Sequence, residues 1–67
     1  MRPLQMRESR LALGLSLEQM ATMLGYHGTQ RRQMQHDLET GRRPIREPQR
    51  RLMEAYLSGY RPPDWPE

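Results

Sequence analysis

The sequence predicts a compact all-α domain of four to five helices, followed by an extended, proline-rich C-terminal tail. Three observations carry that expectation. The β-branched residues are only Thr22, Thr29, Thr40 and Ile45, there is no phenylalanine, and no stretch alternates apolar and polar residues as a strand does. Gly14, Gly25, Gly41 and Gly59 follow segments that can wind as helices, where a chain that must turn favours glycine. Pro62, Pro63 and Pro66 deny helix to the end of the chain. The expected division is a helical domain over residues 1–59 and a tail over residues 60–67.

The first helix is expected from Pro3, a residue suited to a first helical turn, to Leu13. Its apolar residues Leu4, Met6, Leu11 and Leu13 do not fall on one stripe. The second is the clearest element. Ser16 with Gln19 three residues on forms a capping box, and Leu17, Met20, Ala21 and Leu24 recur at i, i+3, i+4 and i+7. Tyr26-His27-Gly28 is a turn. Thr29 is the expected N-cap of a third helix over about residues 30 to 40, which Gly41 closes. Arg42-Arg43-Pro44 is a loop that leaves Ile45 to reach the core. The fourth helix begins near Glu47-Pro48 and ends at Gly59, with Leu52, Met53, Tyr56 and Leu57 as its buried face. Glu47–Arg51 and Arg50–Glu54 are i,i+4 pairs on its surface. Met20 and Met34, at helical spacing, are expected in the core. Trp65 and Tyr60 have two readings: they fold back over their own core, or they dock on a second subunit.

With 67 residues the chain holds one domain. A domain near that size buries only about 60% of the surface its unfolded chain exposes. Without cysteine, disulfides and cysteine-based zinc sites are excluded. No apolar run approaches a membrane span or a secretory signal, and the expected location is the cytoplasm.

Charge is the strongest functional signal. The net charge is +3, and all eleven basic residues are arginine. Arginine presents a rigid fork of donors that suits phosphate and the major-groove edge of guanine. Residues 28 to 51 carry seven arginines against three acids, while the remaining chain carries four against five. A basic middle on a near-neutral frame points to a polyanion.

The third helix is unusual within that middle. Only Met34 and Leu38 are apolar, so its buried stripe is thin. Gln30, Arg31, Arg32, Gln33, Gln35, His36 and Asp37 are expected to face outward, a set dominated by amides and guanidinium groups rather than the glutamate, lysine and alanine of a merely solvated surface. Arg31 and Arg32 sit in the first turn and Asp37 and Glu39 in the last, opposing the helix dipole at about 0.3–1 kcal/mol each. A phosphate backbone at the first turn reverses that penalty. The competing reading is a solvated face whose charge order is accidental.

Arg7-x-x-Arg10-x-x-Leu13-Gly14-Leu15-Ser16-Leu17-Glu18-Gln19-Met20-Ala21-x-x-Leu24-Gly25, followed by Leu38-Glu39-x-Gly41-x-Arg43-x-Ile45, resembles the Cro/C1-type (XRE) helix-turn-helix family over about residues 4 to 58. The closing Gly59-Tyr60-Arg61-Pro62-Pro63-x-Trp65-Pro66 is similar to small phage or prophage regulators, including the anti-CRISPR-associated type. The resemblance implies that the second helix crosses the DNA backbone and the third lies in the major groove. It also implies a pair between Arg10 and Glu39. Two features depart from the family: the stretch between Gly25 and Glu39 is longer than usual, and Leu17 stands where a phosphate-contacting glutamine is common.

The residues expected to reach base edges are Gln30, Arg31, Arg32, Gln33, Gln35 and His36; those expected to reach phosphates are Arg42, Arg43 and Arg46. The expected partner is double-stranded DNA, bound by a homodimer on an inverted repeat with the two third helices about 34 Å apart. The expected consequence is repression, often of the protein's own promoter. The alternative is an antitoxin or protein-interaction module whose basic face holds an acidic protein. No catalytic group, cofactor, small-molecule ligand or metal is expected. Asp37 and Glu39 point in different directions on one helix, Ser9, Ser16 and Ser58 lack triad partners, and His27 and His36 have no further ligands at a recognised spacing.

Overall fold

A computed structural model describes residues 1–66. Four α-helices follow in order: α1 (Pro3–Ala12), α2 (Leu17–Met23), α3 (Arg31–Thr40) and α4 (Glu47–Leu57). The described residues contain no strand. The radius of gyration is 10.7 Å, against about 11 Å for a compact chain of this length. No helix is long and apolar enough to cross a membrane.

Local chemistry sets most of the helix ends. At α2, the Gln19 N–H donates to Ser16 Oγ at 3.1 Å and the Ser16 N–H donates to Gln19 Oε1 at 2.9 Å, closing the expected capping box. At α1, Gln5 Oε1 accepts the Arg2 N–H at 2.9 Å. Gly41 ends α3 at φ 85°, a left-handed turn that lets the Arg42 and Arg43 N–H groups both reach the Asp37 carbonyl. The start of α3 differs from expectation. Gln30, not Thr29, is the capping position, and it makes no side-chain cap bond. The Gly28 carbonyl closes this turn instead, accepting the Arg31 N–H at 3.3 Å and the Arg31 guanidinium at 3.0 Å.

α2 packs most extensively on α3, and α1 lies across both α3 and α4. Met6, Leu15, Met20, Met23, Leu24, Leu38, Met53 and Tyr56 form the core, with Ile45, Leu52 and Trp65 packed at its edge. Methionine adapts to irregular gaps, which suits a core built from four short helices. Met20 is fully buried as expected, whereas Met34 is only half-buried. Leu57, expected inside, is 46% exposed. It lies about 100° round α4 from Tyr56, beyond the arc that meets the core. Leu4 and Leu11 on α1 also face outward, at 60% and 52% exposure, which explains why their spacing defines no inward stripe.

The tail is not helical, yet it does not run free. The Trp65 N–H returns to the Pro62 carbonyl at 3.0 Å, and the indole meets Tyr56 edge-on with ring centroids 5.0 Å apart. Arg61 lies 4.2 Å over the indole and donates to the Tyr56 carbonyl at 2.9 Å. Trp65 thus folds back on its own chain, while Tyr60 stacks on Tyr56 and stays 54% exposed. The expected tail runs to Glu67, which lies outside the described residues. Trp65→Ala is expected to remove about 1–3 kcal/mol of stability in urea unfolding. A loss below about 0.5 kcal/mol would detach the tail from the fold.

Tyr56 also joins α4 to the end of α2, its hydroxyl donating to the Met23 carbonyl at 2.6 Å. Burial first, then Asp64 and Tyr60, push its pKa above the ordinary 10.0. The neutral phenol is therefore the folded form. Its contribution to stability is complete below the unfolded value and fades as pH rises through the raised one. Unfolding followed from about pH 9 to 12 should show an alkaline loss that Tyr56→Phe reduces; an identical loss in the variant assigns it to other groups.

Candidate nucleic-acid interface

α3 has two sides set by the 3.6-residue period. Gln35, Leu38 and Glu39 are buried, and Arg31, Met34 and Asp37 are half-buried beside them. Arg32, Gln33, His36 and Thr40 occupy the exposed arc.

A buried ion pair fixes the inner side. Arg10 of α1 meets the Glu39 carboxylate through Nε at 2.8 Å and a terminal nitrogen at 3.2 Å. The two side chains are 11% and 3% exposed. The other terminal nitrogen of Arg10 donates to the Leu15 carbonyl at 2.9 Å, so one guanidinium ties α1, the α1–α2 turn and α3 together. The Arg10–Glu39 pair expected from the sequence is present.

Gln35 corrects one expectation. It is fully buried, and its amide donates to Glu39 Oε2 at 2.9 Å. It therefore supports the ion pair and cannot reach a base edge. Arg31, also expected at a base edge, donates to Glu18 of α2 at 2.5 Å and to the Gly28 carbonyl, which draws it toward α2. Gln30 is exposed in the turn ahead of α3. Gln33 is exposed on α3 with its amide on Asp37 at 2.9 Å. Arg32 and His36, one turn apart, project outward. Arg32 shares an open cleft with Ser16, Leu17, Glu18, Gln19 and Arg10, so the first turn of α2 and the outer side of α3 border one depression.

The ion pairs sort the arginines. Arg10, Arg31, Arg50 and Arg51 each meet a carboxylate; Arg50 bridges Glu47 and Glu54, and Arg51 lies 3.7 Å from Glu47. Arg32, Arg42, Arg43 and Arg46 form no ion pair among the described residues, and all four are exposed. Of the arginines without an ion pair among the described residues, four therefore lie on α3 and the loop after it, and the others are Arg2 and Arg7 at α1 and Arg61 in the tail. The fold also brings the N-terminus of α1, which Arg2 precedes, to the loop after α3, a proximity that sequence reasoning missed. A Cβ on Gly41 would lie 3.6 Å from Pro3 Cγ, so the start of α1 abuts the arginine-rich loop. Only the folded chain brings these segments together.

An exposed row of arginine, glutamine and histidine flanked by unpaired arginines can donate to phosphates and to base edges. Among the described residues, no three histidine, aspartate or glutamate side chains group as metal ligands. No family model, no curated protein and no solved structure matches this chain.

Proposed function

We propose that this protein is a sequence-specific, double-stranded DNA-binding regulator of helix-turn-helix type. It acts as a homodimer on an inverted repeat and represses by occluding a promoter. The observation that carries this reading is the sorting of the arginines. Arg10, Arg31, Arg50 and Arg51 meet carboxylates, while Arg32 on the outer arc of α3 and Arg42, Arg43 and Arg46 after it do not, and these four make up the larger share of the arginines without an ion pair among the described residues. The resemblance of residues 4 to 58 to the Cro/C1 type supports the same reading, as does the buried Arg10–Glu39 pair that orients α3. In this proposal α3 enters the major groove, with Arg32, Gln33 and His36 at base edges and Gln30 at the entrance. Arg42, Arg43 and Arg46 meet phosphates, and the protein works in the cytoplasm.

Selection of a random duplex library on the purified protein at near-physiological salt tests the proposal. Enrichment of an inverted repeat is the expected result. An enriched single half-site would remove the dimer from the proposal. Absence of enrichment, with binding lost steeply as salt rises, would leave only backbone attraction and favour the protein-interaction module. Arg43→Ala should weaken binding to all sequences alike and lower the slope of log affinity against log salt by about one. A changed base preference with an unchanged slope would move Arg43 from the phosphates to the bases.

A further inference from the structure

We infer that the outward face of α1 is a contact surface for a second copy of this chain, with the two α1 helices side by side and parallel. Leu4 and Leu11 are more than half exposed and one heptad apart. Side chains seven residues apart on a helix align to within about 20°. They point away from Met6 and Arg10, which α1 turns toward the core and toward Glu39.

Arg7 and Glu8 flank that leucine line, one on either side, and both are exposed. Neither forms an ion pair among the described residues. The sequence shows why. The residues three and four positions from Arg7 are Pro3, Leu4, Arg10 and Leu11, and those from Glu8 are Leu4, Gln5, Leu11 and Ala12. Neither charge has an opposite partner at a spacing that serves a lone helix.

A second copy supplies one. In a two-fold parallel pair, opposite flanks of the two helices meet, so Arg7 of each copy faces Glu8 of the other while Leu4 meets Leu4 and Leu11 meets Leu11. An antiparallel pair brings like flanks together, Arg7 on Arg7 and Glu8 on Glu8, and is repulsive. The charges therefore select both the occupant and its direction.

The contact is small. α1 has ten residues, about 15 Å of helix, whereas a stable interface buries about 800 Å² per partner. The free protein should associate weakly, and two copies held on one DNA gain the rest through proximity. That gain rests on the proposed function; the contact itself does not, and its test contains no DNA.

Sedimentation equilibrium of the full chain is expected to show dimer forming over about 0.1–1 mM. Arg7→Glu and Glu8→Arg alone each place like charges across the interface and should weaken self-association about tenfold or more. Mixed one to one, they should associate as the wild type does, because each supplies what the other lacks. Circular dichroism checks that both variants are folded, and the double variant Arg7→Glu/Glu8→Arg should self-associate as the wild type does. Leu11→Cys, in a chain otherwise free of cysteine, should oxidise to a covalent dimer faster than Thr22→Cys, because only the parallel arrangement sets residue 11 against itself. The inference is overturned by a wild type that stays monomeric across the range, by reversals that associate unchanged, by a mixture of folded variants that stays monomeric, or by equal oxidation of the two cysteine variants. Library selection with the folded variants reports DNA reading separately, so the two proposals can fail independently.

Discussion

Arg10→Met is expected to cost about 3–5 kcal/mol, because it strands the Glu39 carboxylate in the interior with only the Gln35 amide for company. A domain of this length has about 3–10 kcal/mol of stability in all. The variant should therefore be largely unfolded at room temperature or melt far below the wild type, as circular dichroism would show. The loss has little to do with the side chain's size. Methionine replaces the aliphatic stem, and what disappears is the fork that meets both carboxylate oxygens and the Leu15 carbonyl. Glu39→Gln in the same chain should return a substantial part of the loss, since the buried charge is gone and an amide oxygen remains for Gln35. If Arg10→Met costs less than about 1 kcal/mol, the pair behaves as a solvated surface bridge and does not set the position of α3.

The second large effect separates the two sides of α3. Arg32→Ala should lower affinity for a selected operator by about 1–3 kcal/mol, roughly fivefold to 160-fold, and relax preference at one base position. Gln35→Ala should do the reverse. It removes a buried donor to Glu39 and opens a void beside Leu38, so it lowers stability while leaving base preference intact in the protein that remains folded. Library selection with both variants, at equal concentrations of folded protein, gives the comparison. Relaxed preference in Gln35→Ala with Arg32→Ala unaffected would mean that the inner and outer sides had been assigned the wrong way round.

The features legible in the sequence are those fixed by neighbours along the chain. The capping box at Ser16 needs only Gln19, and the glycine after α3 needs only the turn it closes; both stand as expected. The start of α3 is not legible in the same way, because its turn is held by the Gly28 carbonyl and by Arg31, which also reaches across to Glu18. A threonine at a plausible capping offset carries no information about that distant carboxylate. Residue type alone makes Gln35 look like a reader of bases. Its position was the better guide: it lies three residues before Leu38 and four before Glu39, on the side that must face inward. Leu57 shows the converse, an apolar residue whose place on the wheel lies beyond the buried arc. The proximity of the α1 N-terminus to the basic loop is not legible at all, because it exists only once Pro3 and Gly41 meet in the fold.

The division of α3 into two sides also bears on how such a protein changes. Its inner arc is committed to Arg10 and the core, while Arg32, Gln33, His36 and Thr40 are exposed, make no hydrogen bond to the ion pair and are not members of the core cluster. Those four positions can be rewritten without renegotiating the fold. In the proposed reading, variation there explores new targets at nearly constant stability, and a library randomised at those four positions is expected to be mostly folded.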